Sequence, residues 1–237
     1  DVCSSDLFYR NGQSGNALVY VLIAIVLFAA LSMTLGRQTD TSEASDLSDA
    51  KAEMYATQLI AYATAAKSAV DQMTFSGTKI SDLDFMLPSH ANFNTAPTLN
   101  KVYHPDGGGL NLGVLPKEAV HGVATGPGAG WYMGRFNNVQ WTKTSAQDVV
   151  LVAYDIKKKV CEAINKKATG SDAIPHMTDS IRETMIDDFF YTGPPNTDLT
   201  TDPTGSPICA GCDHRSSICV EDQTAGTYGF FNVLVDQ

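Results

Sequence analysis

The stretch CAGCDHRSSIC, residues 209–219, brings Cys209, Cys212, His214 and Cys219 into one short loop-like segment. Three thiolates and an imidazole are the ligand set of a structural zinc site. The spacing after Cys212 is cramped for four tetrahedral ligands drawn from one loop. Cys161 offers these thiols another use, because in an oxidising compartment they pair instead of binding metal. Disulfides are therefore the favoured reading. Cys209 and Cys212 are close enough to pair with each other, and each can also reach Cys161 or Cys219, so three connectivities stay open. A redox-active C-x-x-C opens a helix after a strand, and Gly211 with the loop that follows supplies no such setting.

Other chemistry is sparse. Asp198, Asp202, Asp213 and Asp222 stand in loop-like sequence and are oxygen donors of the kind calcium takes, although no stretch has EF-hand spacing. The five histidines and the serines form neither H-E-x-x-H nor G-x-S-x-G. No enzyme and no cofactor are expected. The three glycines of KVYHPDGGGLNLGVL lack the preceding strand, following helix and lysine of a phosphate-cradling loop, so they read as a tight reversal. Lys157, Lys158 and Lys159 read as solvated surface. With 26 carboxylates against 16 lysines and arginines, and no basic stripe, nucleic acid is not an expected partner.

Residues 1–7, DVCSSDL, read as translated sequencing-adapter sequence and are set aside from fold reasoning, which leaves Cys3 out of the cysteine count. Residues 17–35 then form nineteen consecutive positions without a charge. As a helix this run extends for about 28 Å, close to the roughly 30 Å of a bilayer core. A secretory signal has an apolar stretch of about 7 to 15 residues before an A-x-A-like site, a poor fit to this run and its flank SMTLGRQ. A membrane anchor is the expectation.

The next segment, residues 37–75, is helix-like throughout. Asp40, Glu43, Asp46, Asp49 and Glu53 line one acidic stripe, while Tyr55, Leu59, Tyr62, Ala66, Val70 and Met73 line an apolar one. Gly77 supplies a stop. Joined to the run before it, this predicts one helix of almost sixty residues over 16–73, bent near Gly36. Residues 78–130 read as long surface connections with a few short strands. WYMGRFNNVQWT suggests strands about an Asn137–Asn138 turn, and DVVLVAYDI reads as a buried strand. IKKKVCEAINKKATG reads as a helix ending near Gly170. TDSIRETMIDDFF reads as another, capped by Thr178 or Asp179. Residues 193–207 are loop, and GTYGFFNVLVDQ is a closing strand held within the sheet.

The patch NGQSG before the apolar run resembles the leader of type IV prepilins and type II secretion pseudopilins, which ends in Gly and is cut on the cytoplasmic side. The order of a stem, a PDGGG turn, a cysteine-bearing VCEAIN helix and a late cysteine before an aromatic closing strand is similar to pilin-like proteins of Gram-negative bacteria. The resemblance implies cleavage between Gly15 and Asn16 by a prepilin peptidase. It implies a leader over 8–15, a transmembrane half-stem over 16–36, an amphipathic half-stem over 37–75 and a periplasmic α+β domain over 76–237. In that fold the long N-terminal helix packs on an antiparallel sheet. The implied partners are other pilin-like subunits and, before assembly, inner-membrane lipid. Calcium at C-terminal aspartates is also implied, as in some pseudopilins. Asn16 and Tyr20 stand where Phe or Met and the assembly Glu are usual, which points to a minor or atypical subunit. The alternative is a periplasmic binding or metal-holding domain on a permanent single-span anchor.

Overall fold

The computed structural model describes residues 47–124, 126–135, 139, 146–178, 180–186, 209–212 and 214–236. The chain divides into two units between Asp46 and Leu47, and the described residues all fall in the second. Residues 1–46 therefore lie outside this description, with the apolar run, Gly15, Asn16 and Tyr20 among them. Among the described residues no helix is long and apolar enough to cross a membrane.

Helix α1, Asp49–Phe75, opens at a defined cap. Ser48 is extended, and its hydroxyl accepts the Lys51 N–H at 3.4 Å. Such a cap satisfies an N–H that has no helical partner. Leu47 ahead of it and Ala52 inside the first turn share one buried cluster, which fixes the chain's entry. Of the helix expected over 16–73, the described part thus starts at Asp49, behind an extended Ser48, and residues 16–46 of that expectation lie outside the described residues. A serine next to an aspartate stabilises a helix start better than a helix interior. The far end stops near Gly77 as expected, with the Ser76 and Thr78 N–H groups donating to Gln72 and Met73 carbonyls.

The expected apolar stripe is the buried one. Tyr55, Leu59, Ala66, Val70 and Met73 are buried, and Tyr62 partly so. Ala52, Ala56, Ala63 and Ala69 join them. Small side chains on this face let α1 lie close against its neighbours.

The sheet has five strands: β1 (Gly130–Arg135), β2 (Val149–Tyr154), β3 (His176–Met177), β4 (Ser217–Asp222) and β5 (Thr227–Val235). Their order is β1-β2-β5-β4-β3, antiparallel except where β3 runs parallel to β4. The closing strand β5 is therefore central. Helix α2, Lys158–Thr169, joins α1 on one face and ends at Gly170, whose φ of 81° is the left-handed cap that glycine takes without strain. On the other face, Val150, Val152, Phe231 and Val233 pack with Ile181 of the short helix α3, Ile181–Met185. Burial on both faces explains why β2, VVLVAY, is apolar without alternation. The fold is α+β, as expected from the element order.

Two local readings change. The α3 cap is Ser180, whose side chain accepts the Arg182 N–H, in place of Thr178 or Asp179. The helix is shorter than its pattern suggests, so the last capping residue of the polar run is the one used. Residues 78–129 are not merely surface, because Leu83, Phe85, Val102, Tyr103, Leu110 and Leu115 are buried. Among the described residues this segment's only β pairing is the isolated bridges Asp84–Lys101 and Val120–Ile156, beside two 3-10 turns at Ile80–Asp82 and Lys117–Ala119. Single apolar residues without a period carry it into the core, which is why pattern reading misses them. Asn137 and Asn138 lie outside the described residues.

The segment is held by cations that act as backbone donors. Lys101 is 3% exposed, and its ammonium donates to the carbonyls of Asn92, Phe93 and Thr95 at 2.7, 2.7 and 2.5 Å. Arg135 on β1 donates to the Ile80 and Leu83 carbonyls and lies over the Phe85 ring, 5.6 Å from its centre. Burial holds its guanidinium below the ordinary arginine range. The GGG reversal has a steric cause. A Cβ on Gly107 would stand 2.2 Å from the Lys101 carbonyl oxygen, and one on Gly108 2.5 Å from that of Val102. Lys101→Met keeps the stem and deletes three charge-assisted bonds. We expect a loss of about 2–3 kcal/mol in urea unfolding, with faster proteolysis in 88–98. An unchanged midpoint would contradict this role.

Candidate functional site

The sequence singled out the cysteines, and the structure distributes them over both faces of the sheet. Cys161, on the inner face of α2, is bonded to Cys219 of β4, with Cα atoms 5.3 Å apart. Cys209 and Cys212 pair locally across a 3-10 turn, with Cα atoms 5.4 Å apart, and lie buried in the cluster on the opposite face. All four thiols are consumed, so none is available as a nucleophile or metal ligand.

The zinc set is not brought together. Cys219 sits in the core beside α2, whereas Cys209 and Cys212 are beneath the other face and His214 is exposed. Among the described residues no group of three or more His, Cys, Asp or Glu could hold a metal ion. Of the calcium aspartates, Asp198, Asp202 and Asp213 lie outside the described residues. Asp222 is fully buried and already employed. Its Oδ1 accepts the Thr224 and Ala225 N–H groups, and its Oδ2 accepts the Ile181 N–H at the start of α3. It is a turn and cap residue with both carboxylate oxygens bonded.

Asn165, one turn beyond Cys161, completes the join. Its Oδ1 accepts the Cys219 N–H at 2.8 Å, and its Nδ2 donates to the Cys219 carbonyl at 2.9 Å and to the Ala173 carbonyl at 3.0 Å. The side-chain amide thus stands in for a neighbouring strand at a position where β4 has no ladder partner on that side. Glu221 farther along is covered by the Pro175 carbonyl and β3. An unpaired strand edge is a template for unwanted pairing, and here it is closed. The i, i+4 spacing from Cys161 is the signal that could have marked Asn165 in the sequence.

Sequence reading also missed Asp155, at the end of β2. It is fully buried with φ 59°, a backbone conformation that aspartate tolerates better than most residues. Its Oδ2 accepts the Gly122 and Ala124 N–H groups at 3.0 Å each. Its Oδ1 accepts no hydrogen bond and lies 3.7 Å from His121 Nδ1. Beside His121, the Tyr228 hydroxyl donates to Glu221, whose other oxygen is 2.9 Å from His176 Nδ1. Burial, then the Glu221 contact, pushes the Tyr228 phenol up. Along α1, the Lys51 ammonium and the Tyr55 hydroxyl both donate to Glu118, at 3.0 and 2.9 Å. The hydrogen bonds from Lys51 and then Tyr55 hold the Glu118 carboxyl below its ordinary range.

A groove of about 650 Å³ opens where α1, the last turn of α2 and the approach to β4 meet. Lys167, Arg215, Ser216, Ser217, Thr57 and Ile60 line it. Comparison with protein-family models, with curated proteins and with solved structures finds no match for this chain.

The geometry around Cys219 is that of a structural clamp, with a groove opening beside it. Asn165→Ala leaves the Cys219 N–H and carbonyl buried without partners. It should lower stability by about 2–4 kcal/mol, since each unsatisfied buried group costs about 1–3 kcal/mol, with the Cys161–Cys219 bond still formed. Denaturant titration of the oxidised protein measures this, and a loss below about 0.5 kcal/mol would refute the edge-closing role.

Proposed function

We propose that the chain is a pilin-like subunit, of minor or atypical type, in a type IV pilus-like or type II secretion filament. The observation that carries this reading is the placement of α1. It follows the uncharged run of residues 17–35 in the sequence, and its alanine-rich face is buried against α2 and the central strand β5. An apolar segment needs lipid or other apolar helices, and an amphipathic helix needs a domain on one side. A subunit that bundles its stems and carries its domain outside meets both requirements. The two disulfides accord with an oxidising periplasm.

In this reading the precursor sits in the inner membrane with its domain in the periplasm. A prepilin peptidase cuts between Gly15 and Asn16, and the freed subunit joins others through its stem. The work is mechanical. Asn16 and Tyr20, in place of the usual first residue and the usual Glu, suit a subunit that caps or initiates more than one that repeats along the filament.

Co-expression with a prepilin peptidase tests the proposal by intact mass. The product should lose the residues up to and including Gly15, and Gly15→Ala should abolish the cut. A precursor left whole while a control prepilin is processed would overturn the reading and leave a permanently anchored periplasmic domain.

A further inference from the structure

We propose that the groove holding Lys167 and Arg215 receives the acidic segment of a second copy of this chain, residues 40–53. The inference rests on the filament reading above, which places copies side by side, and names the contact they would make.

The groove is set apart first by its charge. Lys158 pairs with Glu162 and Lys159 with Asp49. Lys167 and Arg215 make no ion pair among the described residues, and no carboxylate among the described residues lines the groove. Ser216, Ser217 and Thr57 add hydroxyls that can donate to carboxylate oxygens. The chain as a whole carries a net charge of −10, so a recess lined by these two cations is complementary in charge to a second copy of the chain.

The second feature is its frame. The Cys161–Cys219 bond and the Asn165 amide fix α2 to β4 immediately beside the groove. The chain enters β4 through His214, whose φ of 55° turns the backbone ahead of Arg215. The Arg215 N–H donates to the Cys212 carbonyl, and the Ser216 carbonyl accepts the Val233 N–H. The cationic groups therefore project from an anchored backbone, and a contact there costs little ordering of the main chain.

The third feature is the occupant. The segment that holds Asp40, Glu43, Asp46, Asp49 and Glu53 contains one basic residue, Lys51, which is turned to Glu118, and Asp49 lies 3.6 Å from Lys159 of its own copy. The segment holds five carboxylates in fourteen residues, and two of them, Asp49 and Glu53, are exposed on α1. Opposite charges arranged this way set register and suppress wrong partners more than they add affinity. Such a contact would let copies that repel on net charge associate in one orientation.

Self-association of the full chain in detergent, followed by sedimentation, tests this. Lys167→Glu with Arg215→Glu should weaken association at least tenfold. Mixing that variant with a copy carrying Glu43→Lys and Glu53→Lys should restore it. Lys167→Ser with Arg215→Ser, which adds no repulsion, serves if the reversed variant fails to fold, and should weaken association less. The proposal is overturned if wild type does not self-associate, if neither double variant changes association, or if the reversed pair does not rescue. It is also overturned if inorganic phosphate binds at the groove without competing against association. Peptidase cleavage of the wild-type precursor separates the two readings: a wild type left whole counts against the filament reading, whereas failed rescue with the wild type cut counts against the groove alone.

Discussion

The fold depends on how one residue of β4, Cys219, is held. Its side chain is bonded to α2, and its peptide N–H and carbonyl are both taken by the Asn165 amide from the same helix. A helix is thereby joined to a strand by a covalent bond and by hydrogen bonds that mimic a sheet. The disulfide spans 58 residues. Closing a loop of that size removes substantial freedom from the unfolded chain, on the order of 4 kcal/mol in the chain-entropy account. With α2 fixed, α1 has a surface to pack on, and the small side chains of its inner face can approach both α2 and β5.

On the other face Asp222 does what Asn165 does on the first, while the second disulfide closes only its own turn. Cys209 and Cys212 sit among Val150, Val152, Phe231 and Val233, with Ile181 held over them by the Asp222 carboxylate at the start of α3. A sheet apolar on both faces must be covered on both. Each cover is pinned by a buried polar side chain, and the first also by a covalent bond from α2 to β4.

How much of this was legible beforehand differs from residue to residue. The inner stripe of α1, the buried run of β2, the Gly170 stop of α2 and the place of β5 within the sheet follow from periodicity and turn chemistry. The start of α1 behind Ser48 was obscured because apolar and acidic patterns run on across it. The core residues between 78 and 129 were hidden because Val102, Tyr103 and Phe85 have no repeating spacing. Spacing argued against the zinc set, but which cysteines pair could not be read from it, since that depends on which face of the sheet each cysteine reaches. Asp155 and Lys101 illustrate the same limit. A buried carboxylate and a buried ammonium look like ordinary surface residues until the backbone groups they serve are in place.

The functional reading joins this stapled domain to an apolar run it follows in the chain, and a scaffold with all four described cysteines oxidised suits work that is mechanical. Its most direct test is the pairing itself. Non-reducing peptide mapping of the full chain by mass spectrometry should find Cys161 linked to Cys219 and Cys209 linked to Cys212, with no free thiol among the four. Cys161 linked to Cys209 or Cys212, or free thiols with stoichiometric zinc, would contradict the account.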